Sequence, residues 1–127
     1  MSNQINRLLD HQTHKDLDVW KLGIDLVEKV YSATSKFPKE ELFGLASQMR
    51  KASISFPSNI AEGYARNGKK ELIQFLYIAL GSLSELETQV FIAGKLSFMD
   101  TTEALSDIEQ IRRKTLNLIK YHKSKLT

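Results

Sequence analysis

The stretch ISFPSNIAEG, residues 54–63, places a proline, an asparagine, a glutamate and a glycine among apolar residues. Such a mixture occurs in loops that form sites, but here the apolar residues recur at steps of three and four without a break at Pro57. A loop at the proline would put the residues on its two sides out of phase. The sequence therefore predicts one long helix from near Lys39 to Asn67-Gly68, kinked at Pro57 because proline removes a backbone donor and crowds the preceding turn. Its apolar stripe comprises Leu42, Leu45, Met49, Ala52, Phe56, Ile60 and Gly63.

The polar residues of this stretch lie along one edge of the predicted helix. In the structural interpretation, which we prefer, Asn59 satisfies carbonyls freed near the kink or bonds to a neighbouring helix, and Glu62 pairs with Arg66 four residues on. In the alternative, these side chains form a binding site for a ligand or an RNA base. Pro57, Asn59, Glu62 and Gly63 are thus predicted to be structural, with Gly63 a point of close packing.

The preceding segment, residues 18–36, has the same helical spacing but carries two apolar stripes. It ends at Phe37-Pro38, because the residue before a proline avoids the helical conformation. One stripe is enough for a helix of a simple monomeric bundle, so the second predicts burial against another subunit. The second stripe comprises Leu22, Leu26 and Ala33.

Two more helical segments follow, beginning at Lys69 and at Asp100. Gly81-Ser82 interrupts the third helix and predicts a close approach of another helix, since glycine costs about 1 kcal/mol in an exposed helix. The fourth opens with DTTE, residues 100–103, an acid-capped variant of the capping box. No segment alternates with period two. The sequence therefore predicts an all-α, up-down-up-down antiparallel four-helix bundle in residues 16–127, after a flexible tail, residues 1–15.

Several classes of chemistry are unsupported by the sequence. Without cysteine there are no disulfides, thiolate zinc sites or cysteine nucleophiles. His11 and His14 could share a metal but lack a third ligand, no Glu-x-x-His pair occurs, and His122 is predicted to be a surface residue. No phosphate loop or nucleophile elbow is found. We therefore expect a protein without enzymatic activity, metal or cofactor. Because the sequence has no signal pattern and no long apolar run, we expect the protein in the cytoplasm.

Charge is distributed unevenly along the chain. Residues 112–125 contain six of the 18 basic residues and none of the 15 acidic ones. This asymmetry indicates an anionic partner. An equally simple explanation is a solvated last helix whose cations suit the negative end of its own dipole.

The motifs together resemble the bacterial four-helix-bundle proteins that include those encoded in 23S rRNA intervening sequences. The most specific part is FPxxExxGLxxQMRKA, residues 37–52, followed by SxPxNIAEG, residues 55–63. DVW, residues 18–20, opens the similarity, and FLxxAxGSxxELxxQ, residues 75–89, extends it. The family is also similar to the accessory variability protein of diversity-generating retroelements, a pentameric barrel that binds nucleic acid and works with a reverse transcriptase. The resemblance implies a homopentamer.

The leading hypothesis is therefore a non-enzymatic oligomeric bundle that binds structured RNA, or other nucleic acid, through a basic surface. The alternative is a protein-interaction scaffold for a nucleic-acid enzyme such as a reverse transcriptase. Residues 1–15 lie outside the similarity. The predicted nucleic-acid contacts are Arg112, Arg113, Lys120, Lys123, Arg66, Lys69, Lys70, Arg50 and Lys51.

Overall fold

The computed structural model describes residues 14–126, which contain four long helices, two short 3-10 turns and no strand. The all-α prediction is confirmed. A 3-10 turn at His14–Asp16 precedes the first helix, and a second, Lys39–Glu41, lies between the first two. The helices are α1 (Asp18–Thr34), α2 (Leu45–Ala65), α3 (Lys69–Lys95) and α4 (Thr102–Ser124).

Each helix packs against its neighbours in the chain, and α1 also packs against α4, which closes the bundle. The α2–α3 contact is the most extensive. Short connections make neighbouring helices antiparallel, in agreement with the predicted up-down-up-down order. In the second α1 stripe, Leu26 is fully buried in this core and Leu22 packs against it, so these two residues are covered within one chain. Burial of α1 against another subunit stays a prediction. The largest fully buried side chains are Phe56, Leu26, Met49, Ile60, Leu76, Leu83, Leu86, Ile108 and Ile111.

Helix α2 begins at Leu45 rather than near Lys39, where the sequence placed its start. Residues 39–41 form the 3-10 turn instead, and the Gly44 backbone (φ −108°, ψ −114°) is not helical. An acid nevertheless supports the start of α2, because Oε1 of Glu41 accepts a hydrogen bond from the Leu45 backbone N–H at 3.3 Å. A side chain thus satisfies one of the donors that a helix start leaves free.

The chain stays helical through Pro57, which is buried inside α2. The prediction that residues 54–63 form a helix and not a loop is confirmed. The kink at Pro57 stays a prediction. Because the helix continues, Met49, Ala52, Phe56 and Ile60 face one core, as their spacing indicated. Leu42, the first residue of the predicted stripe, is exposed and precedes the helix.

The glycines of α2 and α3 differ in their surroundings. A Cβ on Gly63 would lie 2.9 Å from Cβ of Phe75, which confirms Gly63 as a point of close packing. Gly81 is exposed, and no described atom lies within 4 Å of the Cβ position, so the close approach predicted for Gly81-Ser82 is not found at the glycine. It is found at Ser82, whose hydroxyl lies 2.8 Å from that of Ser55 on α2. Gly68 has φ +148° and ψ 151°, which suits glycine, but it precedes α3 instead of closing α2 as a left-handed cap.

The start of α4 and the N-terminal tail also differ in detail from expectation. At the start of α4, Oδ1 of Asp100 accepts a hydrogen bond from the Thr102 backbone N–H at 2.9 Å. The N-cap position is Thr101, however, so the acid acts from one residue before the cap and the predicted capping box is not formed. The predicted flexible tail, residues 1–15, lies mostly outside the described residues. His14 belongs to a 3-10 turn, and its ring lies 5.2 Å from that of Trp20.

Candidate nucleic-acid interface

Basic residues from three helix termini meet at one end of the bundle. Helix α2 ends, α3 begins and α4 ends here, because antiparallel neighbours return the chain to the same end. Cross-helix bonds hold the termini together: the Tyr64 hydroxyl lies 2.8 Å from Nε2 of His122, and Nζ of Lys69 lies 3.3 Å from Nδ1 of the same ring. We call this surface the basic end; its cations are Arg66, Lys69, Lys70, Lys120, Lys123 and Lys125.

His122 is buried at the centre of the basic end, so its prediction as a surface residue was wrong. Burial lowers the pKa of His122 below its ordinary value, and the positive charge of Lys69 lowers it further. The neutral ring can accept a hydrogen bond from Lys69 at Nδ1 and donate one to Tyr64 from Nε2. Burial likewise raises the pKa of Tyr64 to about 12, so its hydroxyl keeps its proton. The centre of the basic end is therefore uncharged, and its cations lie around it.

Three cations of the basic end lie over aromatic rings. Arg66 is 4.9 Å from the Phe75 ring centroid, Lys123 is 5.1 Å from that of Tyr77, and Lys125 is 5.3 Å from that of Tyr121. The Lys123 ammonium also donates a hydrogen bond to the Tyr77 hydroxyl at 2.7 Å. These aromatic residues were not among the predicted contacts. Tyr121 could have been found, since it stands beside Lys120 in the basic run, but nothing local to Tyr77 indicates Lys123.

Arg112 occupies a different environment from the basic end. Its guanidinium donates two hydrogen bonds to the Glu87 carboxylate of α3, at 2.7 and 3.1 Å, and one to Glu109 at 3.0 Å. These bonds raise the pKa of Arg112, with Glu87 the larger cause. Arg113 is more exposed and lies 3.9 Å from Glu109. The sequence could not reveal this ion pair, because Glu87 is 25 residues away in the chain, and Arg112 was therefore predicted to contact nucleic acid.

Arg50 and Lys51 lie away from the basic end. They precede Arg66 by 15 or 16 residues of one helix, which corresponds to about 24 Å along its axis. Nε of Arg50 donates a hydrogen bond to Oγ1 of Thr34 at 2.9 Å, and the guanidinium lies 4.6 Å from the Tyr31 ring centroid. Lys51 is exposed. These two residues therefore form no continuous surface with the basic end.

Asn59 and Glu62 make the kinds of contact expected of structural residues. The Asn59 amide donates to the backbone oxygen and to Oγ of Ser55, at 2.8 and 2.9 Å. The Ser55 hydroxyl lies 2.8 Å from that of Ser82, which connects α2 to α3. Glu62 lies 3.6 Å from Arg66 in the predicted i, i+4 ion pair, where both side chains are about half exposed. The carbonyl freed by Pro57 belongs to Ser53, so Asn59 supports the helix near the proline without bonding that group.

Residues 14–126 contain neither a metal-binding cluster nor a membrane-spanning helix. No group of three histidine, aspartate or glutamate side chains is placed to hold a metal ion there. Within the same range, no helix combines the length and the apolar character needed to cross a membrane. The lack of enzymatic activity stays a prediction.

Comparison with known proteins identifies the family. The profile of the 23S rRNA-intervening sequence proteins matches residues 15–120, from the 3-10 turn before α1 to the last turns of α4. A comparison with individual curated proteins found no match. The relation to the retroelement accessory protein stays a prediction. Because the profile covers all four helices, the chain belongs to the family of 23S rRNA-intervening sequence proteins.

Proposed function

We propose that this protein is a non-enzymatic helical bundle that binds RNA through the basic end. The observation that carries the proposal is the convergence of six cations from three helix termini on one surface. Glu62 is the one acid paired by an ion bridge to a cation of this set within the described residues. The family's name, which refers to sequences that interrupt 23S rRNA, agrees with an RNA partner.

Electrostatic attraction to phosphates accounts for such binding. Each neutralised phosphate contributes a slope of roughly −0.7 to −0.9 in log affinity against log salt. If four cations of the basic end each meet a phosphate, the affinity falls about a thousandfold for a tenfold rise in salt. Arg112 adds little to this sum, because two carboxylates already neutralise it.

Self-association would strengthen weak contacts by repeating the basic end, and we include a homo-oligomer, with five subunits as first expectation, in the proposal. Apolar side chains on the outer surface support it. Phe43 is 91% exposed, and Ile54, Phe91 and Ile92 are each more than 40% exposed. Such residues are costly to leave in water and are often covered in assemblies.

RNA binding is tested with the full chain and a fluorescein-labelled RNA hairpin, by fluorescence anisotropy across a salt series. The variant Lys69→Gln, Lys70→Gln, Lys120→Gln removes three charges from the basic end. Its control removes three exposed charges near the other end: Lys36→Gln, Lys39→Gln, Lys95→Gln.

We expect the basic-end variant to lose at least tenfold in affinity at low salt and to show a shallower salt slope, because it contacts fewer phosphates. The control should keep the slope of the wild type. No binding at low salt, or equal losses in the two variants, would refute the proposed interface. Sedimentation of the same samples gives the number of subunits.

A further inference from the structure

The basic end presents exposed aromatic faces as well as cations. Tyr121 is 55% exposed and Tyr77 is 45% exposed, and each has a lysine over its ring. We infer that the RNA bound here carries unpaired nucleotides, whose bases stack on Tyr77 and Tyr121 while the neighbouring lysines hold the adjacent phosphates. This inference rests on the proposed function and specifies its ligand.

Three rings of the basic end form a row. The Tyr121 ring lies 5.1 Å from that of His122 at an interplanar angle of 74°, and the His122 ring lies 5.7 Å from that of Tyr64 at 69°. Tyr121 is thus the exposed end of a row of edge-to-face rings whose inner members are buried or half-buried. Tyr77 lies on α3, where the bond from Lys123 fixes its hydroxyl. Both rings are held in position before a ligand arrives, which lowers the entropic cost of stacking.

Unpaired bases are the ligand that uses both features. Side chains recognise duplex RNA through its phosphates and 2′-hydroxyls, and its bases are stacked inside the helix. A cationic surface without exposed aromatic rings is therefore enough to bind a duplex. Single-stranded segments, loops and ends expose base faces, and these stack on aromatic side chains beside a charged path for the backbone.

A cation over a tyrosine is not by itself a sign of this site. Tyr31 of α1 is 42% exposed and has Arg50 4.6 Å from its ring centroid. Arg50, however, also donates to Thr34, and this pair lies outside the cluster of lysines at the basic end. Tyr31 is therefore a matched control: a tyrosine of similar exposure with a similar cation contact, outside the proposed site.

The test compares three fluorescein-labelled RNAs at one salt concentration: an unstructured 12-nucleotide strand, the same strand paired into a blunt duplex, and a hairpin with an unpaired loop. The variants are Tyr77→Leu, Tyr121→Leu and the control Tyr31→Leu. Tyr77→Phe keeps the ring and removes only the hydroxyl. Far-UV circular dichroism checks that each variant is folded.

We expect the single strand and the hairpin loop to bind more tightly than the duplex. Each leucine variant at the basic end should weaken single-strand binding by roughly fivefold or more, the lower range for one stacked base, without changing the salt slope. Tyr31→Leu should bind like the wild type. Tyr77→Phe should lose less affinity than Tyr77→Leu, because it keeps the ring and removes only the hydroxyl that Lys123 bonds. In the unmodified protein, a 2-aminopurine placed in the strand should change its emission on binding, which reports stacking without any substitution.

The outcomes separate this inference from the proposed function. If the duplex binds as tightly as the single strand, and the leucine variants and 2-aminopurine show no effect, the inference is refuted while lysine-dependent binding still supports the proposed function. If no RNA binds at low salt, both are refuted. If Tyr31→Leu weakens binding as much as the basic-end variants, the assignment of the site to the basic end is refuted.

Discussion

Replacing Gly63 by alanine should destabilise the bundle, whereas the same replacement at Gly81 should stabilise it. Both glycines lie inside helices, where alanine is favoured by about 1 kcal/mol because it restricts the unfolded chain. The local helix preference is therefore the same at the two positions. Only the space around the added methyl group differs.

At Gly63, the new Cβ would lie 2.9 Å from Cβ of Phe75 and 3.3 Å from the carbonyl oxygen of Leu72. These atoms belong to the backbone of α3 or are attached directly to it, so they cannot rotate away. Extra methyl groups in a packed core cost about 1–3 kcal/mol. Because the contact is with backbone, we take the upper part of this range, which leaves a net loss of about 1–2 kcal/mol after the helix preference. At Gly81, where no described atom lies within 4 Å, the gain of about 1 kcal/mol should appear in full.

Urea unfolding followed by circular dichroism at 222 nm measures both changes, and the slope of free energy against urea should stay unchanged. The two variants should differ by about 2–3 kcal/mol, which corresponds to roughly 10 °C in Tm for a chain of this size. A Gly63 variant as stable as the wild type would refute the packing argument. If another subunit covers Gly81, the wild type should gain stability as the protein concentration rises and the Gly81 variant should not, so the advantage of the variant would disappear at high concentration.

Three further predictions concern side chains. Because burial lowers the pKa of His122, the folded state binds fewer protons than the unfolded state near this pKa. The stability contributed by the neutral ring should be fully present above about pH 6.5 and fall as the pH drops below it. The variant His122→Gln should flatten this dependence in urea titrations from pH 5 to 8. Asn59→Ala removes the hydrogen bonds to Ser55 and should lower the free energy of unfolding by about 1 kcal/mol. Glu62→Ala should change it by less than about 0.5 kcal/mol, because the Glu62 ion pair is about half exposed. Equal effects of the two variants in thermal unfolding would contradict this. Arg112→Gln should destabilise the protein by about 1 kcal/mol, and a double-mutant cycle with Glu87→Gln should show coupling that weakens with salt; additive effects would argue against the pair.

Much of the fold could be predicted because helical spacing is a local property. The unbroken register on both sides of Pro57 placed Met49, Phe56 and Ile60 on one face, and that face is buried. The start of α2 was less predictable, since the Lys39 segment has acids suited to a helix start yet forms a 3-10 turn. The non-helical backbone of Gly44 separates this turn from α2, so the helix begins only after the glycine.

The candidate site was predicted in its charges but not in its arrangement. The sequence indicated a basic final helix and the cations Arg66, Lys69 and Lys70 between the second and third helices, and both groups contribute to the basic end. It could not show that Arg112 meets Glu87, that His122 lies beneath Lys69, or that Tyr77 accepts a bond from Lys123. The rotation of each helix against its neighbours decides all three contacts.

The sequence by itself determined the helical class, the apolar face of each helix and the family, because these depend on residues a few positions apart. Only the tertiary structure decided which cations stay available and which are neutralised, and which glycine is enclosed. Those properties depend on distances between α2, α3 and α4, and the packing of the bundle sets these distances. Gly63 and Gly81 have the same local preference for a helix, but one faces the backbone of α3 and the other faces open space.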